Sequence, residues 1–234
     1  MNPGMSLKKN LIFDADDTLW ENNVYYEEIR SRFLALTDEL GAAREDVEFQ
    51  IDETEQKNIR LYGYGSENFI RSLKQVYALF AHGGDHLQET LDLVESYAKV
   101  LYDFHVELLP QVKETLQSLH PRHRFFLLTK GDDHEQTSKV RKSGLEPFFE
   151  KVVVVQEKDV ATYEELVQRF SLDKSVTWMI GNSPRSDINP ALAAGLGAVF
   201  IPHALTWHFE KIPLVQDHPR LVVAESFGDL TRHF

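Results

Sequence analysis

Two acidic residues two positions apart follow a short apolar segment near the start of the chain. Asp14 and Asp16 belong to the run Asp14-Ala15-Asp16-Asp17-Thr18, which comes directly after Leu11-Ile12-Phe13. Side chains two apart on a strand point the same way, so both carboxylates can leave the strand end toward one cleft. Carboxylates held that close repel each other unless a cation lies between them. The pattern indicates a site for Mg²⁺ and phosphate, whereas an Asp-rich turn is the alternative reading of any single Asp-x-Asp.

The second part of the chain predicts the scaffold that would position these carboxylates. Continuous apolar segments alternate there with segments of helical spacing. Together with a first strand around residues 8–14, the expected strands are 125–128, 152–155, 176–180, 198–201 and 221–223. Apolar strands separated by helices are typical of a parallel sheet covered on both faces. The expected fold class is therefore α/β, with a doubly wound parallel sheet.

The section between the first strand and residue 105 shows helical spacing and no convincing strand. Apolar residues recur at intervals of three and four in two stripes, Ile29, Phe33, Leu36 and Leu40, and Leu87, Leu91, Val94, Ala98 and Leu101. Gly41 is a plausible stop for the first stripe, a helix break is expected at 62–65, and a turn at 82–85. We expect residues 20–105 to form an inserted helical domain, with 1–19 and 106–234 forming the α/β core.

Polar side chains follow each of the next three predicted strands. They are Thr129 and Lys130 after the second strand, Lys158 after the third, and Asn182 and Asp187 after the fourth. Ligands of doubly wound sheets bind beyond the carboxyl ends of the strands, so these side chains are expected to meet at one edge. Each has a structural alternative: a helix cap for Thr129 and Asp187, and a solvated loop residue for Lys158.

Composition narrows the classes of function. The formal net charge of −12 over 234 residues argues against non-specific binding to nucleic acid, which needs a basic face. The basic run Lys139-Val140-Arg141-Lys142 is expected on a solvated helix face. The absence of cysteine excludes disulfides and thiolate chemistry. No apolar stretch is long enough for a membrane span, and the N-terminus lacks the apolar core of a secretory signal, so a cytoplasmic location is expected.

The chain resembles the haloacid dehalogenase (HAD) superfamily of phosphohydrolases. The Asp-x-Asp-x-Thr motif of that family matches residues 14–18, its strand-ending Thr or Ser matches Thr129, and its Lys matches Lys158. The family's Gly-Asp-(four residues)-Asp motif corresponds to Gly181 through Asp187. The match spans the whole chain, because a helical cap inserted after the first strand also belongs to the family plan.

The sequence departs from the family pattern at two positions. Asn182 stands where the family usually has Asp; an amide oxygen can still ligate Mg²⁺, with one negative charge fewer. Asp159 follows Lys158, where the family often has Pro. Lys151 and Lys174 are the fallback candidates for the lysine of the family pattern, with a worse placement relative to their strands.

The resemblance implies a role for each strand-end residue. Asp14 would be the nucleophile that forms an aspartyl-phosphate, and Asp16 would protonate the leaving oxygen and then activate water. The implied Mg²⁺ ligands are Asp14, Asp16 through its backbone carbonyl, Asn182 and Asp187. Thr129 and Lys158, with Lys130 as a supplementary cation, would bind the phosphoryl group.

The function expected from these residues is Mg²⁺-dependent hydrolysis of a small phosphorylated metabolite. The alternatives are a phosphotransferase or mutase with the same nucleophile, and a catalytically weak protein that binds a phosphometabolite, which Asn182 leaves open. A dehalogenase is disfavoured, because displacement of halogen from carbon needs neither an acid at Asp16 nor a metal. The expected partner is a small phosphorylated substrate, without nucleic acid or membrane; the substrate's identity and the oligomeric state stay open.

Overall fold

The computed structural model describes residues 8–81, 87–103 and 106–234. The chain divides into two compact units. One unit joins Met1–Asn23 to Val106–Phe234, and the other is Val24–His105.

The first unit contains a six-stranded sheet in the order β3-β2-β1-β4-β5-β6, in which every neighbouring pair is parallel. The strands are β1 Asn10–Phe13, β2 Arg124–Lys130, β3 Lys151–Val155, β4 Thr177–Gly181, β5 Gly197–Phe200 and β6 Leu221–Val223. This is the doubly wound α/β fold that the sequence predicts. From β1 the chain adds β2 and β3 on one side of the sheet and then β4, β5 and β6 on the other side. The strand order therefore reverses between β1 and β4, the point where ligands bind in such sheets.

The first strand lies at the centre of the sheet because both of its faces are apolar. All four residues of β1 are buried. Ile12 packs in a cluster with Phe126 of β2 and Met179 of β4, on the face covered by Tyr163. Phe13 points to the opposite face, as alternation along a strand requires, and its ring lies 5.0 Å from that of Phe125.

Helices α6 to α9 cover the sheet of the first unit. They are α6 Val112–Leu119, α7 Asp133–Ser143, α8 Val160–Arg169 and α9 Asn189–Ala193. A π-helical turn, Pro184–Ile188, precedes α9, where the sequence predicts one continuous helix from about residue 187. Strand β2 continues through Lys130, so Thr129 and Lys130 are its last two residues and do not follow it.

The second unit contains five helices within its described residues. They are α1 Asn23–Asp38, which begins at the unit boundary, α2 Arg44–Tyr62, α3 Ser66–Ala81, α4 Leu87–Ser96 and α5 Ala98–Asp103. Ile29 and Phe33 are fully buried in the apolar core of this unit, and Leu36 and Leu40 pack against it. Helix α2 ends before Gly63, whose φ of 84° is accessible to glycine at little cost.

The structure modifies the prediction for the second stripe. The residues Leu87 to Leu101 divide between α4 and α5, with the break at Tyr97. The turn expected at 82–85 lies outside the described residues. No helix among the described parts of the chain is both long and apolar enough to cross a membrane.

The run Lys139-Val140-Arg141-Lys142 is not uniformly solvated, contrary to the sequence-based expectation. Arg141 and Lys142 are exposed at the end of α7, whereas Val140 packs inward and Lys139 is only 4% exposed. One turn of α7 therefore directs a cation into the interior of the α/β unit.

Candidate active site

Asp14 directly follows β1 and is held by a lysine from the loop after β3. The carboxylate of Asp14 forms a short ion pair with the ammonium of Lys158, and both side chains are buried. The backbone N–H of Asp14 donates to the carbonyl of Ile180 (2.9 Å), which fixes the residue at the carboxyl edge of the sheet. Lys158 lies immediately before α8, which Asp159 caps through the N–H of Thr162 (2.9 Å). The fallback residues Lys151 and Lys174 lie at or before the starts of strands.

Asp187 completes the surroundings of the Lys158 ammonium. Its Oδ1 lies 2.8 Å from Lys158 Nζ, and its Oδ2 accepts from the backbone N–H of Ser183 (3.0 Å). Gly181 leaves the space for this carboxylate, because a Cβ there would lie 2.2 Å from Asp187 Oδ2. Burial and the neighbouring Asp14 carboxylate raise the pKa of Asp187, and Lys158 partly opposes this. Burial alone would lower the pKa of Lys158, but the two carboxylates raise it above its usual value.

Asn182 is joined to Asp14 through a hydroxyl group. Thr18 Oγ1 lies 2.8 Å from Asp14 Oδ2 and 3.3 Å from Asn182 Oδ1. The amide nitrogen of Asn182 donates to Thr206 Oγ1 (3.0 Å), which leaves the amide oxygen toward the site. The structure therefore brings Asp14, Lys158, Asn182 and Asp187 together at the strand order reversal.

The side chain of Asp16 lies in a different group of contacts from that of Asp14. Its carboxylate accepts from Trp20 Nε1 (2.7 Å) and Gln136 Nε2 (2.9 Å), and it pairs with Lys139 Nζ (3.1 Å). Sequence reasoning missed Gln136 and Lys139, which project from the middle of α7. Their spacing of three residues places them on one helix face, but nothing in a polar helix distinguishes them from solvated residues.

Thr129 is connected to Asp16 by hydrogen bonds through Gln136 of the same helix. Its side chain is 1% exposed, and its hydroxyl donates to Gln136 Oε1 (3.2 Å). The N-cap of α7 is Asp132, whose carboxylate accepts from the N–H of Glu135. The structural alternative of a helix cap at Thr129 is therefore wrong.

Lys130 contacts a second group of side chains, which the sequence pattern did not predict. Its ammonium lies 2.6 Å from Glu210 Oε1 and 3.2 Å from Ser186 Oγ. Ser183 and Ser186 both donate to Glu210 Oε2 (2.5 Å each). Burial would raise the pKa of Glu210, but Lys130 and the two hydroxyls lower it below its usual value. In the structure Lys130 therefore balances a buried carboxylate, and its role as a phosphate ligand stays a prediction.

Asp17 forms the turn that the sequence offered as its alternative reading. It has a φ of 58°, and its Oδ1 accepts from the N–H groups of Asn22 and Asn23 at the start of α1 (2.9 and 3.0 Å). Burial raises the pKa of Asp17 to about 7. Glu21 and His203 lie beside it, with ligand atoms of the three side chains within 4.8 Å of one another. The Asp-rich run thus contributes both a turn and site residues.

The residues around Lys158 suit a hard divalent cation. Asp14, Asn182 and Asp187 offer carboxylate and amide oxygens, the ligand types that Mg²⁺ prefers. The shared hydroxyl of Thr18 and the shared ammonium of Lys158 show that these oxygens converge. By its donor chemistry the set fits Mg²⁺, with Asn182 supplying a neutral oxygen.

Comparisons with known proteins show the family to which the chain belongs. The family model of haloacid dehalogenase-like hydrolases matches residues 8–195. The pyrimidine 5′-nucleotidase PynA of Streptococcus pneumoniae is 25% identical over 221 residues, which cover 88% of this chain and 89% of the relative. A haloacid dehalogenase-like hydrolase structure from Xanthomonas campestris is 28% identical, with a TM-score of 0.82 over 97% of this chain and 91% of that one.

More distant structures share the fold alone. The HAD-hydrolase YfnB of Bacillus subtilis, in a form bound to magnesium, is 20% identical with a TM-score of 0.63, over 97% of this chain and 99% of that one. Dehalogenases also have this fold at under 25% identity. The chain belongs to the haloacid dehalogenase-like hydrolases, and its α/β unit is the core of that family.

Proposed function

We propose that this hydrolase is a Mg²⁺-dependent phosphatase that transfers the phosphoryl group of a small phosphomonoester to Asp14 and then to water. The observation that carries the proposal is the buried Asp14 carboxylate at the strand order reversal, fixed by Lys158 and Thr18. A carboxylate in this position can attack phosphorus in line, while the lysine balances charge at the edge of the sheet.

In the first step, a carboxylate oxygen of Asp14 bonds to phosphorus as the bond from phosphorus to the leaving oxygen breaks. Asp16 donates a proton to that leaving oxygen. In the second step, Asp16 takes a proton from water, the water oxygen bonds to phosphorus, and the bond from phosphorus to Asp14 breaks. Inorganic phosphate leaves, the carboxylate of Asp14 is free again, and Asp16 is again protonated.

The remaining residues bind and balance charge. Lys158 and the hydroxyl of Thr129 are proposed to hold phosphoryl oxygens, with Lys130 as a supplementary cation. Asp14, the backbone carbonyl of Asp16, Asn182 and Asp187 would hold Mg²⁺. That ion, when bound, neutralises negative charge on the phosphoryl oxygens.

The substrate class follows from similarity and stays a proposal. PynA is a pyrimidine 5′-nucleotidase that covers most of the chain, which makes nucleoside 5′-monophosphates the first class to screen. The helical unit Val24–His105 is proposed to be the substrate-selecting cap. A phosphotransferase or mutase uses the same nucleophile, and release of inorganic phosphate to water distinguishes a hydrolase from both.

The test is hydrolysis of p-nitrophenyl phosphate with Mg²⁺ and with EDTA, by the wild type and Asp14→Asn. We expect turnover that requires both the metal and Asp14, with a loss of about 10⁴-fold or more in the variant. Asp159→Asn, which changes an exposed helix cap beside Lys158, serves as the control. Turnover by Asp14→Asn at the wild-type rate would contradict the proposal.

A further inference from the structure

We propose that Lys139 is a positioning residue of this site, which acts with Gln136 to fix the carboxylate of Asp16 for proton transfer. The inference rests on the proposed function and adds α7 to the elements that supply residues to the active site. It starts from a juxtaposition that neither motif spacing nor strand position predicts: two polar side chains of one helix face meet the second Asp of the Asp-x-Asp run.

The ammonium of Lys139 contacts both oxygens of Asp16. The distances from Nζ are 3.3 Å to Oδ1 and 3.1 Å to Oδ2, and the same nitrogen donates to Asn22 Oδ1 (2.8 Å) and pairs with Glu135 (3.4 Å). The side chain of Lys139 is 5% exposed. With its amine buried among fixed acceptors, Lys139 holds one position, unlike a solvated surface lysine.

Gln136 supplies the second point of attachment. Its Nε2 donates to Asp16 Oδ2 (2.9 Å), while its Oε1 accepts from Thr129 (3.2 Å). The amide therefore joins a predicted acid to a predicted phosphate-binding hydroxyl. Gly131 allows Gln136 to lie there, because a Cβ at this glycine would come within 2.8 Å of Gln136 Nε2.

The contacts of Lys139 and Gln136, both from one helix, restrict the orientation of the Asp16 carboxylate more than either contact alone. Trp20 Nε1 adds a third donor, at 2.7 Å from Asp16 Oδ1. A buried ion pair contributes little net stability compared with apolar residues of similar volume. Its value here is positional, and Lys139 is not the source of the proton. Asp16 in its protonated form must give one proton to the leaving oxygen and then, as a carboxylate, take one from water, and small displacements of a proton donor are costly in rate.

The test compares two leaving groups. Ethyl phosphate releases an alkoxide that needs a proton, whereas p-nitrophenyl phosphate releases a stable anion. Because kcat/KM reports the first phosphoryl transfer, we expect Lys139→Met to lose roughly 10- to 100-fold in kcat/KM for ethyl phosphate. The expected loss for p-nitrophenyl phosphate is under about threefold. Lys139→Arg should restore part of the difference, and Gln136→Met should show the same selectivity more weakly.

Controls separate this role from a structural one. Lys142→Met, an exposed change on the same helix, should leave both substrates unaffected. Equal losses for the two substrates in Lys139→Met, or no loss, would overturn the inference. In that case, if Asp16→Asn loses more kcat/KM for ethyl phosphate than for p-nitrophenyl phosphate, the proposed function stands. If Asp16→Asn loses kcat/KM equally for the two substrates, the proposed role of Asp16 as an acid is wrong as well.

Thermal unfolding provides a second measurement that does not need turnover. We expect the shift in Tm of the double variant Lys139→Met, Asp16→Asn to be smaller than the sum of the single shifts, because each single change leaves the other partner without its counter-charge. Additive shifts would overturn the inference, since they would mean that the two side chains do not act on each other.

Discussion

The two units of the chain bury different kinds of polar group. In its described part, the α/β unit buries one histidine, His123, and six carboxyl or lysine side chains, Asp14, Asp17, Lys139, Lys158, Asp187 and Glu210. In the described part of the helical unit the buried polar residues are neutral, namely Thr37, Asn58, Ser66 and Ser72. Burying a charged group costs free energy unless the group is paired. A concentration of paired charges at one edge of a sheet therefore indicates a functional site, whereas buried neutral hydrogen bonds indicate a structural role in packing.

The largest effect expected from this comparison is on the stability of the α/β unit after Lys158→Met. The change leaves Asp14 and Asp187 buried without their shared cation, which should cost about 3–5 kcal/mol of unfolding free energy. Urea denaturation measures this cost, and Lys151→Met, at an exposed lysine, is the control. Mg²⁺ should stabilise Lys158→Met more than the wild type. A loss under about 1 kcal/mol would mean that the ion pairs contribute little to folding.

In the helical unit, the corresponding change is Asn58→Ala, with a smaller expected loss of about 2 kcal/mol. Asn58 donates to the buried Ser72 (2.8 Å) and to the exposed Gln75 (3.0 Å), so its removal takes a donor from a buried hydroxyl. Urea denaturation of this variant, compared with the exposed change Lys57→Ala, measures the cost. A loss as large as that of Lys158→Met would remove the energetic distinction between the two units.

Asn182→Asp sharpens the comparison by adding one more charge to the α/β site. A third carboxylate beside Asp14 and Asp187 should raise the apparent affinity for Mg²⁺ roughly tenfold, or about 1.4 kcal/mol. It should also lower stability in EDTA, because the new charge then lies unbalanced next to Asp14. Calorimetric titration with Mg²⁺ and melting in EDTA measure the two effects. Unchanged affinity would place the ion away from residue 182.

The smallest effect is expected at Glu55, a half-buried acid in the helical unit. Burial raises its pKa to about 7, although Arg30 opposes this and Asp52 and Glu27 reinforce it. The folded state then binds more protons than the unfolded state between about pH 4.5 and 7, so stability is full below this window and falls as the pH rises through it.

Glu55→Gln removes that dependence. The variant should be about 1 kcal/mol more stable than the wild type at pH 8 and no more stable at pH 4. Denaturation at both pH values, with the exposed change Glu53→Gln as control, checks the result. An equal gain at the two pH values would contradict a titration at Glu55.

The sequence predicted the parts of the site that follow strands. Asp14, Lys158, Asn182 and Asp187 come at fixed places after apolar segments, and parallel strands bring such places to one edge whatever the details of packing. The alternation of strands and helices and the inserted helical section were predictable because hydrophobic periodicity carries both. The order of the strands in the sheet was not predicted from the sequence.

The supporting residues were not predictable, since their roles depend on tertiary contacts. Lys139 lies in a run that reads as solvated, and only the rotation of α7 turns it toward Asp16. Glu210 lies in the long loop after β5, far in sequence from Lys130, and no local pattern joins the two. The π-helical turn before α9 contains Asp187, which lies against Gly181, and periodicity does not report such a tertiary contact.

The most direct test of the central claim is to look for phosphate on Asp14 itself. The wild type is mixed with substrate and Mg²⁺, quenched in acid within milliseconds, and digested for mass spectrometry. We predict one phosphoryl group on the peptide that contains Asp14, appearing before free phosphate and disappearing as substrate is exhausted. Release of phosphate in the same reaction with Asp14 unmodified at every time point would contradict the account.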